Sequence, residues 1–305
     1  MSTVVAGVDI GGTTTQVVLS DESLTVLGRA DVTTPAKLGG VAMVAAAVSL
    51  IEDLLASTGH ALSAVAVGAA GVVDSDTGTV VVASDSFTGW TGFGVTDAFT
   101  AALGVPSYLD NDVNAFLRGE AAAGSLRGET DALGITLGTG VGGALWLHGD
   151  LHHGQHGAAG EIGHIPGFGD LPCTCGARGH LETLASGLSI ARRYTMATGR
   201  DARGALDVAL AADRGDEAAL AVFSDAGGAI ARAILMTVGL VDVATVVVGG
   251  GVSGAWHLLH PAIVAALVAE PPVNGRTISV VRATLGADAV TLGACARALT
   301  ALQPA

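Results

Sequence analysis

A short apolar run that ends at a pair of glycines opens the chain. The apolar run Val4–Ile10 is followed by a Gly-Gly pair, and Gln16–Ser20 and Thr25–Asp31 have the pattern of short strands. Runs of this length bounded by turn residues are typical of strands, so we expect a meander of three strands. Val41–Ser57 then has apolar residues at helical spacing and stops before a glycine, which predicts a helix.

The rest of the chain alternates between these two kinds of pattern. The segment GAAGVVDSDTG is predicted to be a loop and GTGVGG a turn. Strands that alternate with helices are typical of the α/β class. A strand, a Gly-rich turn and a second strand occur at residues 4–20 and again at 132–147, which indicates a duplicated α/β unit. Further strands are predicted at Ala64–Gly68, Pro106–Leu109, Asp131–Leu137, Ala144–Leu147, Thr245–Val248 and Thr277–Arg282, and further helices at Gly94–Leu103, Val113–Gly124, between Ala185 and Leu240, after Ser253 and at Ala287–Ala301.

The composition is apolar but lacks the long uninterrupted runs of a membrane protein. The chain has 305 residues, enough for two domains; 50% are hydrophobic, and the mean hydropathy is +0.57. Glycine or a charged residue interrupts each stretch of about 18 residues, so we expect no transmembrane helix. The N-terminal MSTVVAGVDIGG has no basic residue before its apolar run, so we expect no secretory signal peptide.

Charge and cysteine content narrow the partners and the compartment. The net charge of −14 argues against nucleic acid or an anionic membrane as a partner. An anionic substrate would therefore be bound by backbone N–H groups and Mg²⁺ rather than by a cluster of basic side chains. Three cysteines cannot build a disulfide framework, which predicts a reducing cytoplasm.

The segment 156–182, HGAAGEIGHIPGFGDLPCTCGARGHLE, holds a candidate metal site. His164, Cys173, Cys175 and His180 offer two imidazoles and two thiolates, a donor set that suits tetrahedral Zn²⁺. In the alternative interpretation, the two cysteines bind no metal and the two histidines are ordinary surface residues. The metal hypothesis is favoured because two of only three cysteines stand in CTC with a histidine five residues later.

Polar residues beside the candidate metal site are suited to binding a polyol. Glu161 and Glu182 flank the four ligands and would form charge-assisted hydrogen bonds with hydroxyl groups. His164 would serve twice, with one ring nitrogen on the metal and the other donating to substrate. The remaining histidines of this region are expected to be surface loop residues; these are His148, His152, His153 and His156.

Three Gly-rich turns are candidates for phosphate binding. Asp9 precedes Gly11, Gly12 and Thr13, where a carboxylate beside a phosphate loop would hold Mg²⁺ directly or through water. The second turn is Gly138-Thr139-Gly140, and the third, Gly249-Gly250-Gly251, follows a strand and precedes a helix. Gly-rich turns are also common in α/β proteins without a ligand, and for the third turn a packing role is equally compatible with the sequence. No GK[ST] follows any of them, so none is a Walker A loop.

The sequence DNDVN places a polar cluster at the end of a strand and the start of a helix. Asp112 there would take a proton from a sugar hydroxyl as that hydroxyl attacks a phosphoryl group. The alternative is helix capping, in which Asn111 or Asp112 satisfies backbone donors without catalysis. The sequence leaves both interpretations open.

Six motifs in a fixed order resemble those of ROK-family sugar kinases: DIGGTTT, DNDVNAF, LGTGVGG, GAAGEIGH, CTCGARGHLE and VVVGGGVS. The resemblance runs from about Val4 to Leu299. It implies an α/β fold of the actin-like ATPase (ribonuclease H-like) type, duplicated as two domains around a cleft. The expected domains are 1–117 plus 287–305, and 118–286 with the zinc loop. It also implies ATP-dependent phosphorylation of a hexose at the C6 hydroxyl, a structural zinc and, commonly, a homodimer.

The resemblance also assigns site residues by their place in the motifs. Asp112 becomes the general base, and Mg²⁺ would lie near Asp9. The implied sugar ligands are Asn111, Asp112, Glu161, His164 and Glu182, with Gly71 lining the pocket. The implied nucleotide site contains Gly11, Gly12, Thr13, Gly138, Thr139 and Gly250. We expect Asp9, Thr14, Gly140 and Gly251 to belong to the same site.

Four departures from the family pattern bear on specificity. His180 replaces a cysteine ligand, Thr14 replaces a lysine near the phosphates, and Ala70 replaces a proline. Asp85-Ser86 stands where glucose-specific members have Pro-Asn, so a sugar-binding amide is replaced and a carboxylate is added. Because a site built for one hydrogen bond rejects analogues that lack it, the sugar is either a glucose-type hexose or an amino sugar such as kanosamine, whose C3 ammonium would pair with Asp85. Alternatively, Asp85 faces solvent and Ser86 holds a water molecule in place of the amide.

A non-catalytic, sugar-sensing regulator is the hypothesis from a different class. Regulators that resemble this chain carry a DNA-binding helix-turn-helix ahead of the kinase-like part. Asp9 stands too near the start of this sequence to leave room for one, and the acidic charge opposes DNA binding. The intact DNDVN favours the enzyme.

Overall fold

The computed structural model describes residues 3–303. The first and last two residues, which belong to the predicted domain 1–117 plus 287–305, lie outside the described part. The chain forms two compact units. One comprises the residues up to Gly128, Asp150–Ala159 and the residues from Thr284 onward; the other comprises Glu129–Gly149 and Gly160–Ala283. These bounds differ from those of the predicted domains, which remain a prediction.

The described residues form strands and helices in alternation. The strands are β1 (Val5–Ile10), β2 (Thr14–Ser20), β3 (Val26–Thr33), β4 (Ala64–Ala69), β5 (Val72–Asp74), β6 (Thr79–Val82), β7 (Ser107–Asn111), β8 (Ala132–Leu137), β9 (Val141–Leu147), β10 (Asp150–Leu151), β11 (Thr245–Gly249) and β12 (Ser279–Arg282). The helices are α1 (Gly40–Thr58), α2 (Val95–Leu103), α3 (Asp112–Ala122), α4 (Glu182–Ala185), α5 (Gly187–Thr198), α6 (Ala205–Ala212), α7 (Glu217–Val241), α8 (Trp256–Ala269) and α9 (Ala289–Leu302).

Two five-stranded sheets share one topology. The first has the order β3-β2-β1-β4-β7 and the second β10-β9-β8-β11-β12. In the first, β1 pairs antiparallel with β2 and parallel with β4. In the second, β8 pairs antiparallel with β9 and parallel with β11. The predicted duplication of an α/β unit and the predicted meander are therefore confirmed.

Helices cover both faces of the first sheet. Met43 and Ile51 of α1 and Phe99 of α2 are fully buried in one core with side chains of β1 and β4. On the other face, Leu292 and Cys295 of α9 pack with residues of the same strands. Successive side chains of β1 and β4 point to opposite faces of the sheet and pack into the two cores in turn. Both strands are therefore buried along almost their whole length.

The second unit has a single large core. Alternate side chains of β8 and β11 meet Ile230 and Ile234 of α7 and Leu259 and Ile263 of α8 there. The helical stretch predicted between Ala185 and Leu240 is confirmed as α5, α6 and α7. Asp216 caps α7 by accepting hydrogen bonds from two backbone N–H groups.

Two predicted loops turn out shorter than expected. The loop GAAGVVDSDTG contains β5 and the start of the β5–β6 hairpin, so its prediction as irregular chain is wrong. Strand β9 begins at Val141 instead of Ala144, because Leu137 pairs with Val141 and the turn narrows to residues 138–140. Local composition suggested turns at both places, whereas pairing with a neighbouring strand decided the outcome.

Three helices are long and apolar enough to cross a membrane by length and composition alone. They are Gly40–Thr58 with a mean hydropathy of 1.7, and Glu217–Val241 and Gly251–Ala269 with 1.5 each. We expected glycine and charged residues to keep every helix below the hydropathy of a membrane span. The many alanine and valine residues keep the mean hydropathy of these three helices high in spite of such interruptions. In the structure each helix packs one face into a core of its own α/β unit.

Candidate functional site

In the first unit, three parallel strands end side by side. Across the sheet, Asp9 of β1 is in register with Gly68 of β4, and Gly68 with Asp110 of β7. Ligands of α/β sheets bind beyond the carboxyl ends of such strands. The sequence segments that follow the three ends are the predicted phosphate turn, the segment with Gly71, and Asn111-Asp112.

Asn111 and Asp112 occupy different positions at the start of α3. The Asn111 side-chain oxygen accepts hydrogen bonds from the N–H groups of Val113 (2.8 Å) and Asn114 (3.2 Å), so Asn111 is the N-cap of α3. Its amide donates to the carbonyl of Gly71 at 2.8 Å. Asp112 is the first helical residue and is partly buried, and its carboxylate accepts from Val113 N–H at 2.9 Å. Capping therefore accounts for Asn111 and does not require Asp112.

Asp9 is affected by the charge of Asp112. Burial, together with the smaller effect of the nearby Asp112 carboxylate, raises the pKa of Asp9 to about 7. Two carboxyl groups that repel each other at a strand edge are a suitable pair for a divalent cation. The structure thus brings together the residue predicted to lie near Mg²⁺ and the predicted base.

The first Gly-rich turn lies directly after Asp9. The N–H of Gly11 donates to the carbonyl of Thr14 at 3.1 Å, which closes the turn between β1 and β2. Gly12, Thr13 and Thr14 are exposed. Their backbone and hydroxyl groups are available to an anion.

We expect Asp9→Asn to stabilise the protein at alkaline pH. The folded-state pKa of about 7 lies above the ordinary 3.8, so ionised Asp9 opposes folding. The gain in the free energy of unfolding should be small near pH 4, grow as the pH rises toward 7, and stay constant above it, at up to a few kcal/mol. Thermal unfolding at several pH values measures it.

The exposed Asp31 on β3 provides a matched control. Asp31→Asn should leave the pH dependence of the melting temperature unchanged. The interpretation of Asp9 is wrong if Asp9→Asn lowers the melting temperature near pH 8.

Gly71 is held in a conformation that suits glycine. Its φ is +108°, and a Cβ atom there would lie 2.3 Å from the carbonyl oxygen of Val82. This conformation directs its carbonyl to Asn111. Gly71 therefore supports the N-cap of α3.

The turn with Asp85 and Ser86 is open to solvent. Both residues are exposed, and the Ser86 hydroxyl lies 2.5 Å from that of Ser84. Lys37, the single lysine of the sequence, donates from Nζ to the backbone carbonyl of Asp85 at 3.0 Å. This structure therefore agrees with the alternative in which Asp85 faces solvent.

In the second unit, the other two Gly-rich turns are neighbours. Gly250 follows β11 and packs against the backbone of Leu137, the last residue of β8. The turn Gly138–Gly140 comes next in the chain and is closed by the N–H of Gly138 donating to the carbonyl of Gly140 at 2.9 Å. Two turns at adjacent carboxyl ends form one candidate phosphate surface, with Thr139 and Gly251 beside it.

The predicted metal ligands converge. One ligand atom from each of His164, Cys173, Cys175 and His180 lies within 4.8 Å of the other three. Cys173 Sγ is 3.8 Å from His164 Nδ1, and Cys175 Sγ is 3.4 Å from His180 Nδ1. Zn–S bonds of about 2.3 Å and Zn–N bonds of about 2.0–2.1 Å place tetrahedral S and N ligands roughly 3.5 Å apart. The four residues therefore fit zinc.

Glu182 connects the metal loop to the second Gly-rich turn. It is 8% exposed, and its carboxylate accepts from Thr174 Oγ1 at 2.5 Å and from Val141 N–H at 3.1 Å. A Cβ atom on Gly140 would lie 2.5 Å from the same carboxylate, so only glycine leaves room for it. Glu161, by contrast, is exposed and precedes the 3₁₀ turn Ile162–His164.

His153 is a residue whose environment the sequence did not predict. It was expected on the surface, yet its ring Nε2 lies 3.2 Å from both carboxylate oxygens of the buried Asp110. The two residues are 43 positions apart, so no local pattern joins them. The signal that could have found the pair is the DND cluster itself, since a buried carboxylate needs donors.

Comparison with known proteins agrees with these observations. The model of the ROK family matches residues 5–301. The chain belongs to the ROK family. A curated relative, the glucokinase of Halalkalibacterium halodurans, is 33% identical over 94% of this chain and 92% of its own length.

Solved structures of ROK proteins share the fold of this chain. A ROK family glucokinase from Streptomyces griseus, in complex with glucose and AMPPNP, has a TM-score of 0.81 and 30% identity over 98% of this chain and all of its own. A ROK family transcriptional regulator, a homologue of the E. coli MLC protein, has a TM-score of 0.86 at 22% identity, covering 99% of this chain and 78% of its own. The second likeness concerns the fold alone. The predicted actin-like ATPase architecture is confirmed, and the chain is glucokinase-like within its family.

Proposed function

We propose that this protein is an ATP- and Mg²⁺-dependent kinase that phosphorylates the C6 hydroxyl of a glucose-type hexose. The observation that carries the proposal is the arrangement at the start of α3. Asn111 is the helix cap, and Asp112, the first helical residue beside Asp9, is the carboxylate that would act as general base on a hydroxyl group. The glucokinase relatives at about one-third identity support this choice of reaction and substrate class.

The proposed sugar ligands are polar side chains from two motifs. Asn111 and Asp112 come from DNDVN, with Gly71 lining the pocket, and Glu161, His164 and Glu182 come from the segment with the metal ligands. The Nδ1 atom of His164 lies toward the other metal ligands, so its Nε2 atom would be the one to contact a sugar hydroxyl. Zinc at His164, Cys173, Cys175 and His180 would fix the conformation of this loop and play no part in proton transfer.

The donor phosphates would be bound mainly by backbone groups. The three Gly-rich turns, at Gly11–Thr14, Gly138–Gly140 and Gly250–Gly251, each follow the end of a strand, where backbone N–H groups can bind phosphate. Mg²⁺ near Asp9 would neutralise charge on the transferred phosphoryl group. Because Thr14 is neutral, Mg²⁺ held near Asp9 would have more of this charge to balance.

The second candidate is a 6-kinase for an amino sugar such as kanosamine, and it rests on the presence of the Asp85 carboxylate in the sequence. Because Asp85 is exposed in the structure, a glucose-type hexose is the preferred substrate class. A non-catalytic sugar sensor is the third outcome of the test below. We also expect a homodimer in the cytoplasm.

A panel assay decides among these functions. ADP release is measured with ATP and glucose, N-acetylmannosamine, glucosamine or kanosamine, and the phosphorylated position is read from the ³¹P–¹H coupling in the product. The proposed function requires transfer to C6 with glucose giving the highest kcat/KM. A higher value for kanosamine favours the second candidate, and binding of sugar without ADP release favours the sensor.

Variants of the Asp85-Ser86 pair test the sugar preference. If Asp85 binds a C3 ammonium, Asp85→Asn should reduce kcat/KM for kanosamine at least about tenfold more than for glucose, since a charged hydrogen bond is worth about 1.5–3 kcal/mol. The double change of Asp85-Ser86 to Pro-Asn should raise glucose turnover. Equal factors for the two sugars would remove Asp85 from specificity and leave a glucokinase with a tolerant loop.

A further inference from the structure

The buried carboxylate of Asp110 lies one residue before the N-cap of α3. Asp110 is 4% exposed and is the second-last residue of β7. Its Oδ1 accepts from the side-chain amide of Asn114 and from the N–H of Asn111, both at 2.9 Å. These bonds connect the end of β7 to the first turn of α3, where the proposed base stands.

His153 completes the surroundings of this carboxylate. Its Nε2 lies 3.2 Å from each oxygen of Asp110, and the His153 side chain is 33% exposed. It comes from Asp150–Ala159, the segment of the first unit that leads into Glu161 and His164. A single imidazole thus ties that segment to the strand end that presents Asp112.

We propose that His153 is a positioning residue for phosphoryl transfer, holding Asp110 and, through it, the Asn111-Asp112 strand end in one arrangement with the 150–159 segment. The inference rests on the proposed function, because it assigns the base role to Asp112. His153 itself touches neither Asp112 nor the metal ligands in any contact described for it.

The charges around His153 favour its protonated form. Hydrogen bonding to Asp110 raises the pKa of His153 most, and the charges of Asp110 and Asp150 act in the same direction; burial and the Arg118 guanidinium oppose them. Arg118 itself pairs with Asp150 at 3.3 Å. A His whose pKa is raised in the folded state keeps its ion pair below the ordinary pKa of about 6.5 and loses it as the pH rises through the raised value.

Two substitutions separate the charge of His153 from its N–H. Glutamine at this position retains a neutral donor and alanine has none, so the test uses His153→Gln and His153→Ala. Near pH 6 we expect kcat/KM to fall about tenfold in His153→Gln, in line with loss of a charge-assisted bond, and further in His153→Ala. Near pH 9, neutral His153 still donates from Nε2, so the wild type and His153→Gln should converge while His153→Ala stays low.

The exposed neighbour His152 gives a matched control, and His152→Gln should equal the wild type at each pH. A constant ratio of wild type to His153→Gln across the pH range would overturn the proposal, since a merely structural role predicts no convergence. Wild-type behaviour of both His153 variants would overturn it as well.

Hydrogen exchange measured by mass spectrometry keeps the test independent of activity. We expect faster exchange in His153→Ala than in His152→Gln at peptides covering 108–116 and 150–160. Unchanged exchange at 108–116 would overturn the proposal even if kinetics shift. If the wild type phosphorylates no sugar, the proposed function fails, and positioning for catalysis is rejected with it, whereas the exchange result still decides whether His153 orders the strand end.

Discussion

Asp112→Asn is expected to lower kcat by about 10²–10⁴ while leaving the fold and the sugar affinity nearly intact. The reason is that asparagine keeps the size and the acceptor oxygen of the first helical residue but cannot take the proton of the attacking hydroxyl. Asn111 continues to cap α3, so helix stability should change little. Steady-state kinetics with the sugar that the panel selects, together with calorimetric sugar binding, measure both parts.

Asp97→Asn is the matched control for this variant. Asp97 also lies in the first turn of a helix, α2, and is exposed. It therefore reports the effect of losing a negative charge near a helix N-terminus, which is worth only about 0.3–1 kcal/mol. Loss of a general base should cost far more than a factor of about three in turnover. If the kcat of Asp112→Asn stays within about threefold of the wild-type value, Asp112 is not the general base.

Cys175→Ala is expected to release about one zinc per chain and to lower the melting temperature by roughly 10 °C or more, because structural zinc contributes several kcal/mol to folding. His164 loses its metal anchor with it, so the KM for sugar should rise while the KM for ATP changes less. Metal content by mass spectrometry and thermal unfolding with and without a chelator measure the effect.

His156→Ala gives the comparison for the zinc experiment. His156 is exposed and belongs to the same Gly-rich segment, but it lies outside the four converging ligands. It should retain its metal and its melting temperature. A purified wild type that is fully active without bound metal would refute the zinc model, and so would Cys175→Ala with unchanged zinc content.

Features coded within a few residues could be predicted from the sequence. The strand ends, the Gly-rich turns and the CTC segment are each visible locally, because glycine, proline and alternating apolar residues act over two to six positions. The duplication was visible for the same reason, since each repeat carries its own strand, turn and strand. Motif order then led to the family.

Features that depend on distant partners could not be predicted. His153 looked like its exposed neighbour His152, and only the fold brings it to Asp110. Strand β6 was missed because its pairing with β5, and not its composition, makes it a strand. The assignment of the N-cap to Asn111 also needed geometry, since Asn and Asp cap helices about equally well. The three long apolar helices could not be interpreted from composition alone, because a face buried in a protein core and a face exposed to lipid are equally apolar.

Glu182 would couple the binding of zinc to the binding of nucleotide if both bind at the proposed sites. Its carboxylate is bonded to Thr174 between the two cysteine ligands and to Val141 directly after the Gly138–Gly140 turn. If both ligands favour the same position of this carboxylate, each must tighten the binding of the other by the same factor. An ATP analogue should then slow the loss of zinc to a chelator. Removal of zinc should lower the affinity for ATP as well as for sugar. Equal rates of zinc loss with and without the analogue would show that the two sites are independent.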